Sequence, residues 1–375
     1  LTAETDVLGH QTVYEYDASG NMTKETRFDG ASKSYSYNSQ NLLLSETDYA
    51  GNLTAYEYDG NSNLIKITKP DNRSIYYTYD TNNHVTEMKD AKGLQTTFTY
   101  QGPWVHSIID AMGQTQTFSY DGKGDIISFT DKAGNTTTYQ YDSAGRKVKE
   151  INPAGKSTDY TYDNAGNITA IVDYNGGQTS FTHDKNGNIV TLTDPMGRVY
   201  HYEYDANGNK TKEINPKGEA ITYAYDSMGH QISAANAEGQ TIQYEYDVAG
   251  NKVKEIDANG NATSYEYDYR CNQVSLKTDP LGAQIATAYS VNGLPIKQTD
   301  ENGEQVTFEY DAANRMTKYE QEGGLVTNLG YDSNDNLTQM ISSDGKKYFF
   351  VYDALNQMIA QTLPNTGTIL YAYDA

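Results

Sequence analysis

Residues 14–30 read YEYDASGNMTKETRFDG, and the first eight letters return with small changes: YEYDGNSN at 56, YEYDANGN at 202, YEYDVAGN at 244, YEYDYRCN at 265. A self-similar period of this length is the mark of a repeat architecture. The second aromatic gives the phase: Tyr16, Tyr37, Tyr58, Tyr79, Tyr100, Tyr120, Tyr141, Tyr162, His183, Tyr204, Tyr225, Tyr246, Tyr267, Tyr289, Tyr310, Tyr331, Tyr352 and Tyr373. Seventeen of these eighteen marks are Tyr, 21 residues apart except for a step of 20 (Tyr100 to Tyr120) and one of 22 (Tyr267 to Tyr289). Asp follows the mark in fifteen copies, with Asn38, Gln101 and Ser290 as exceptions, and a further aromatic precedes it by two in sixteen.

Two turn sites punctuate each copy. The first lies three residues after the Asp, at Gly20, Gly124, Gly145, Gly166, Gly187, Gly208, Gly229, Gly250 and Gly293, with Asn41, Asn83, Asn314 and Asn356 in other copies. Gly and Asn are the residues that tolerate a left-handed backbone. The second falls about ten residues later, at Gly30, Gly51, Gly93, Gly113, Gly134 and onward to Gly367. The arms between them have ordinary strand length. Tyr-x-Tyr has period two, so both rings share one face. An apolar residue five after the Asp (Met22, Leu43, Leu64, Val85, Ile126, Ile168, Ile189) is expected to pack against the aromatic arm. No stretch sustains a 3.6-residue period. The expectation is all-β: eighteen tandem hairpins in a continuous antiparallel, spiralling strip, with 1–375 as one array and no separate catalytic domain. The chain starts inside the pattern and reaches 375 just after a signature Tyr-Asp, which reads as a length of a longer array.

Composition agrees. The chain is 37% hydrophobic, with 35 Tyr and 32 Gly, and its mean hydropathy of -0.76 argues against a thick core. The formal net charge of -22 repels phosphate backbones, so nucleic acid is excluded as a partner. No run approaches a membrane span. The single cysteine, Cys271, permits no internal disulfide; it lies in YRCNQ, where other copies carry Gly, and reads as a drifted turn residue.

These units resemble YD repeats, also called RHS repeats. YEYDASGNMTKETRFDG, YTYDNAGNITAIVDYNG and YEYDANGNKTKEINPKG carry the resemblance, which covers essentially the whole chain. The family includes bacterial RHS polymorphic toxins, the C component of insecticidal toxin complexes, wall-associated proteins and the teneurins. The resemblance implies hairpins following one another in a strip that encloses a hollow shell, often around a C-terminal toxin cargo. It also implies flanking repeats and a core domain of the same polypeptide as partners, and a secreted or cell-surface location, in bacteria first of all. Carbohydrate binding has been proposed for such repeats. The family's self-cleaving core resembles DPxG...DPxGL; DPMG at 194–197 and DPLG at 279–282 match only in part, sit at ordinary second-turn positions, and read as Pro-containing turns.

The structural signature expected to carry the fold is Tyr16, Asp17 and Gly20; Tyr58 and Asp59; Tyr141, Asp142 and Gly145; Tyr162, Asp163 and Gly166; Tyr204, Asp205 and Gly208; Tyr246, Asp247 and Gly250. Asp at a turn entry is expected to accept backbone N–H groups two residues on. Calcium is the competing role, but the tandem nine-residue spacing of calcium-binding rolls is missing. None of His10, His84, His106, His183, His201 and His230 has metal-ligand spacing. No catalytic, cofactor or metal residue is assigned, and His183 reads as a packed ring in the tyrosine ladder. The short copy YQGPWVHSIIDAMG at 100–113 holds the only Trp, Trp104: a local bulge, or a contact for sugar or cargo.

Two functions follow. One is a structural shell module; the other is an adhesin module that binds glycans through rows of exposed Tyr. Packed rings with satisfied hydroxyls favour the first, exposed rows the second.

Overall fold

A computed structural model describes residues 1–373. The signature Asp374 of the last copy and Ala375 lie outside the described residues. The described residues contain no helix and 36 strands, from β1 (Ala3–Thr5) to β36 (Gly367–Leu370), in one unclosed antiparallel sheet. This is the expected hairpin strip, two strands for each of the eighteen marks.

One copy shows how the sequence makes it. β2 (Gln11–Tyr16) pairs with β3 (Met22–Thr26), and β3 with β4 (Ser32–Tyr37). The register runs Val13 to Thr26, Tyr14 to Glu25, Glu15 to Lys24, and then Tyr16 to Met22. Thr23 is therefore an extra residue, a β-bulge. Without it Met22 would face away from Tyr16, because side chains alternate with period two. The same shift occurs at Tyr58 opposite Leu64, Tyr79 opposite Val85 and Tyr162 opposite Ile168. The apolar residue five after the Asp thus meets the second tyrosine as expected, through a bulge that the spacing alone did not reveal.

The first turn is a three-residue loop. Asp17 N–H donates to Asn21 O at 2.9 Å, and Gly20 N–H to Asp17 O at 3.1 Å. Gly20 has φ 88°, the left-handed residue that closes a type I turn with a bulge. Asn41, Asn83, Asn314 and Asn356 adopt φ of 61 to 65° in its place. Ser62 and Asp335, both at φ 69°, do the same.

The two irregular spacings are turn-length changes. Gln95–Gln101 and Trp104–Ile109 meet at Gln101 and Trp104, leaving Gly102 (φ 60°) and Pro103 as a two-residue turn, one residue short. Ala262–Asp268 and Gln273–Thr278 are joined by a loop with one residue more. There the left-handed residue is Asn272 (φ 53°), not Cys271, which corrects the alignment of Cys271 with the turn glycines.

The chain forms two compact units: residues 1–115 with 265–375, and residues 116–264. Neither has a thick core. Among the described residues Tyr289, at 9% exposure, is the only buried hydrophobic side chain. Strand pairing and thin side-chain layers on the two faces hold the fold.

Candidate functional site

The repeating site is the junction between one hairpin and the next. Its first part is the Asp of each first turn. Asp163 Oδ1 accepts the N–H groups of Ala165 and Asn167, both at 2.9 Å, and Oδ2 accepts Asn167 Nδ2 at 3.0 Å. Asp17, Asp59 and Asp205 bind Asn21, Asn63 and Asn209 in the same way. Asp142 holds Arg146, whose Nε donates at 2.7 Å. Asp247 accepts from Ala249 and Asn251. Hydrogen bonds from the Asn167 amide and then its backbone hold the Asp163 carboxyl below the usual range. Both carboxylate oxygens of the Asp thus accept bonds from within its own turn.

The residue four after the Asp also reaches the next hairpin. Asn21 Nδ2 donates to Asn41 Oδ1 at 2.9 Å, and Asn63 Nδ2 to Asn83 Oδ1 at 2.9 Å. His84 stacks on Tyr100 with centroids 4.5 Å apart, and His230 on Tyr246 at 4.9 Å. The Arg146 guanidinium lies 4.7 Å over Tyr162 and that of Arg315 5.2 Å over Tyr331. Each of these His and Arg side chains bonds its own turn Asp and covers the next copy's ring. The sequence reading missed this position because Asn, His and Arg look unrelated; what they share is a planar N–H donor.

The second tyrosine is the other half of the junction. In at least eleven copies among the described residues its hydroxyl donates, at 2.7 to 3.0 Å, to the carbonyl fifteen residues earlier, on the preceding hairpin. Thus Tyr141 bonds Ile126 O, Tyr162 bonds Lys147 O, Tyr204 bonds Ile189 O and Tyr246 bonds Gln231 O. The accepting residue is the one just before the bulge, paired with the preceding copy's second tyrosine. Burial pushes the hydroxyls of Tyr58, Tyr141 and Tyr246 up from their ordinary value. Tyr16, in the first full copy, is 42% exposed.

The opposite face is polar. Glu57–Lys66, Glu203–Lys212, Glu245–Lys254 and Glu309–Lys318 pair across their hairpins at 2.7 to 3.2 Å. On the ring face, three copies replace the apolar residue just before the bulge with a lysine. Lys147 bonds Glu150 at 2.6 Å and lies over Tyr139 and Tyr160; Lys210 bonds Glu213 and lies over Tyr202 and Tyr223. The third, Lys252, bonds Glu255 at 2.6 Å.

The remaining candidates are scattered. Trp104 is half-buried at the start of its strand beside the short turn. His183 pairs with Ile189 within the strip, and its Nδ1 is buried with no hydrogen-bond partner. Burial pushes the Cys271 thiol up. Asp194 and Asp279 accept the N–H groups of Met196 and Leu281, and Gly197 and Gly282 close ordinary second turns. Among the described residues no three His, Cys, Asp or Glu side chains are grouped to hold a metal ion, and no helix is long and apolar enough to cross a membrane.

The family model described as Teneurin YD-shell matches residues 94–282, half of the chain. The chain belongs to the YD-shell family. Flanking this YD-shell match, the RHS Repeat model matches residues 1–32, 37–74 and 289–324. The crystal structure of TcdB2-TccC3 is 16% identical, with a TM-score of 0.60, covering 94% of this chain and 24% of that one. The Photorhabdus luminescens Tc holotoxin pore gives 16% identity and a TM-score of 0.60, covering 94% of this chain and 23% of that one. The YD-shell chain thus spans about a quarter of the length of these structures, and the likeness is one of fold. No curated protein matches.

Proposed function

We propose that this chain is a length of wall from a YD shell, a scaffold in a larger secreted or surface protein that encloses a passenger, with its eighteen copies acting as one array. The observation that carries this reading is the tyrosine rung. The rings that recur along the sequence place their hydroxyls on the backbone of the preceding hairpin, so the signature residues serve the strip itself. A ladder of such cross-strand contacts stiffens a sheet that has almost no core. The matches to a shell family and to toxin-complex structures support the same reading, and that likeness suggests a toxin as passenger.

Glycan binding is the weaker reading. It needs rows of exposed rings, whereas exposed aromatic residues such as Tyr76 and Tyr174 sit in different settings, one in a strand and one at a turn. In this reading the chain is a scaffold, not an enzyme, and takes no cofactor.

The test is protection. A protease-sensitive, poorly folded reporter is fused after residue 375, and its digestion is compared with that of the free reporter. Slower digestion, lost when the strip is unfolded by urea, is the expected result. Equal digestion in the folded state overturns the shell reading for this length of wall. Retention on a glycan array that is lost on Trp104→Ala would favour the adhesin instead.

A further inference from the structure

The first compact unit is assembled from two stretches, 1–115 and 265–375. Within each, strands pair with their sequence neighbours through the backbone. What joins one stretch to the other is different: the second turns of the early hairpins meet the first turns of the late ones through side chains.

The contacts recur at the repeat spacing. Arg27 donates to Arg270 O at 3.0 Å and Val291 O at 3.1 Å. Asn292 Nδ2 donates to Asp48 Oδ2 at 2.8 Å, and Asn334 Nδ2 to Asp90 Oδ2 at 2.6 Å. Lys92 pairs with Asp332 at 2.8 Å. At the centre lies a cluster of six charges. Asp335 takes Lys69 at 2.9 Å, Arg73 at 2.6 Å and Arg315 at 2.9 Å. Arg315 also reaches Asp71 at 3.2 Å and Asp311 at 2.7 Å, and Arg73 donates to Asp71 at 2.5 Å.

Two further facts set this seam apart from the strip. It is loosely packed: clefts of ≈ 560, ≈ 350 and ≈ 390 Å³ run along it, lined by residues of both stretches such as Lys33, Asp48, Ala91, Asn314 and Asp335. And Asp335 holds φ 69°, where most other copies use Gly or Asn and one uses Ser62. Asp takes a left-handed backbone less readily than Gly. Its carboxylate faces three cations.

We infer that this seam is an ionic latch: residues 27–94 and 268–356 separate along it as intact pieces of strip, without loss of the hairpin ladders. Partly exposed ion pairs are screened by salt, whereas sheet hydrogen bonds are not. The inference concerns the first unit itself and holds with or without an enclosed passenger. In a shell it would supply a sideways opening.

The test uses the whole chain with spin labels on Ala50→Cys and Asn302→Cys, both exposed and outside the seam contacts, in a Cys271→Ser background. Label-to-label distances are measured at low salt and at about 1 M salt, where screening acts within a few ångströms. The same measurement is made on Asp335→Gly, a change that removes the latch anion and puts the usual turn residue in its place. Far-UV circular dichroism and amide protection of the strands report the ladders. The expected result is a longer, broader distance distribution in high salt and in Asp335→Gly, with the ladders unchanged. Distances unmoved by both, or moved only together with loss of strand protection, overturn the latch.

Discussion

The Tyr141 hydroxyl donates to the Ile126 carbonyl across 2.8 Å, tying one hairpin to the one before it. Removing that hydroxyl leaves the ring in place and the carbonyl without its partner. Tyr141→Phe is expected to cost about 1 kcal/mol, the usual net worth of one such bond. Tyr141→Phe with Tyr225→Phe, four hairpins apart in the ladder, is expected to cost the sum. Urea melts at fixed slope check both. No loss in either variant would remove the rung from the list of stabilising contacts.

The same bond sets an alkaline limit. A phenolate cannot donate, and burial raises the hydroxyls of Tyr79, Tyr100, Tyr141, Tyr225, Tyr246, Tyr310 and Tyr331 above their ordinary value of 10.0. A raised folded value means stability that is complete below the unfolded pKa and lost as pH rises through the folded one. The strip is therefore expected to hold up to pH 10 and to melt above it, with phenolate absorbance and strand signal changing together. Phenolate appearing ahead of unfolding would show that the rungs carry little.

At the acid end the seam is the sensitive element. Burial pushes the Asp335 carboxyl up, and pairing with Arg73 and Lys69 more than reverses this, leaving it at about 2 against an ordinary 3.8. A depressed folded value gives stability that is present above the unfolded pKa and lost as pH falls through the folded one. The seam is expected to stay closed at pH 4 and to loosen between about 3.8 and about 2. The label distances described above, followed through an acid titration, read this out. Loosening already at pH 5 would point to another group.

Much of this molecule was legible in its sequence, and for a plain reason. A period of 21 with Tyr-x-Tyr-Asp and Gly at fixed offsets dictates strand, turn and strand locally, and local rules are what a sequence displays. The bulge at Thr23 was hidden, because only the partner's register reveals it. The partners of the tyrosine hydroxyls were hidden too, since a backbone carbonyl has no letter. The seam was beyond reach: Arg73 and Asp335 are unremarkable surface residues until the chain brings them together. Asp335 differs from the usual turn Gly or Asn, but Ser62 does so as well, so the sequence alone does not mark the seam.

Close neighbours should make one glycine more sensitive than another. A Cβ on Gly250 would stand 2.9 Å from His230 Nε2, whereas one on Gly30 would meet nothing within 4 Å, although φ is 84° and 85° respectively. Both Ala variants should lose about 1 to 2 kcal/mol for the left-handed backbone. Gly250→Ala should lose more, because the imidazole must leave the Tyr246 ring on which it stacks. Gly250→Ala in a His230→Asn background should approach the Gly30→Ala value. Equal losses in the two original variants would mean that the imidazole gives way freely.

His183 stands where seventeen copies have Tyr, and its buried Nδ1 has no hydrogen-bond partner. The position fifteen residues earlier is Ile168, which His183 cannot reach as a phenol would, since an imidazole is shorter. His183→Tyr places a hydroxyl where the other copies bond that carbonyl, and removes the unpaired nitrogen. Both changes act in the same direction, because an unmade bond in a buried place costs more than a made one returns. The expected outcome is a gain of about 1 kcal/mol or somewhat more in urea melts. His183→Phe separates the two contributions: it removes the nitrogen without supplying a donor, so it should gain less than Tyr. If Phe and Tyr gain equally, the missing rung was not what the His183 copy lacked. If both lose stability, the pocket is fitted to the imidazole, and this copy departs from the ladder by its packing.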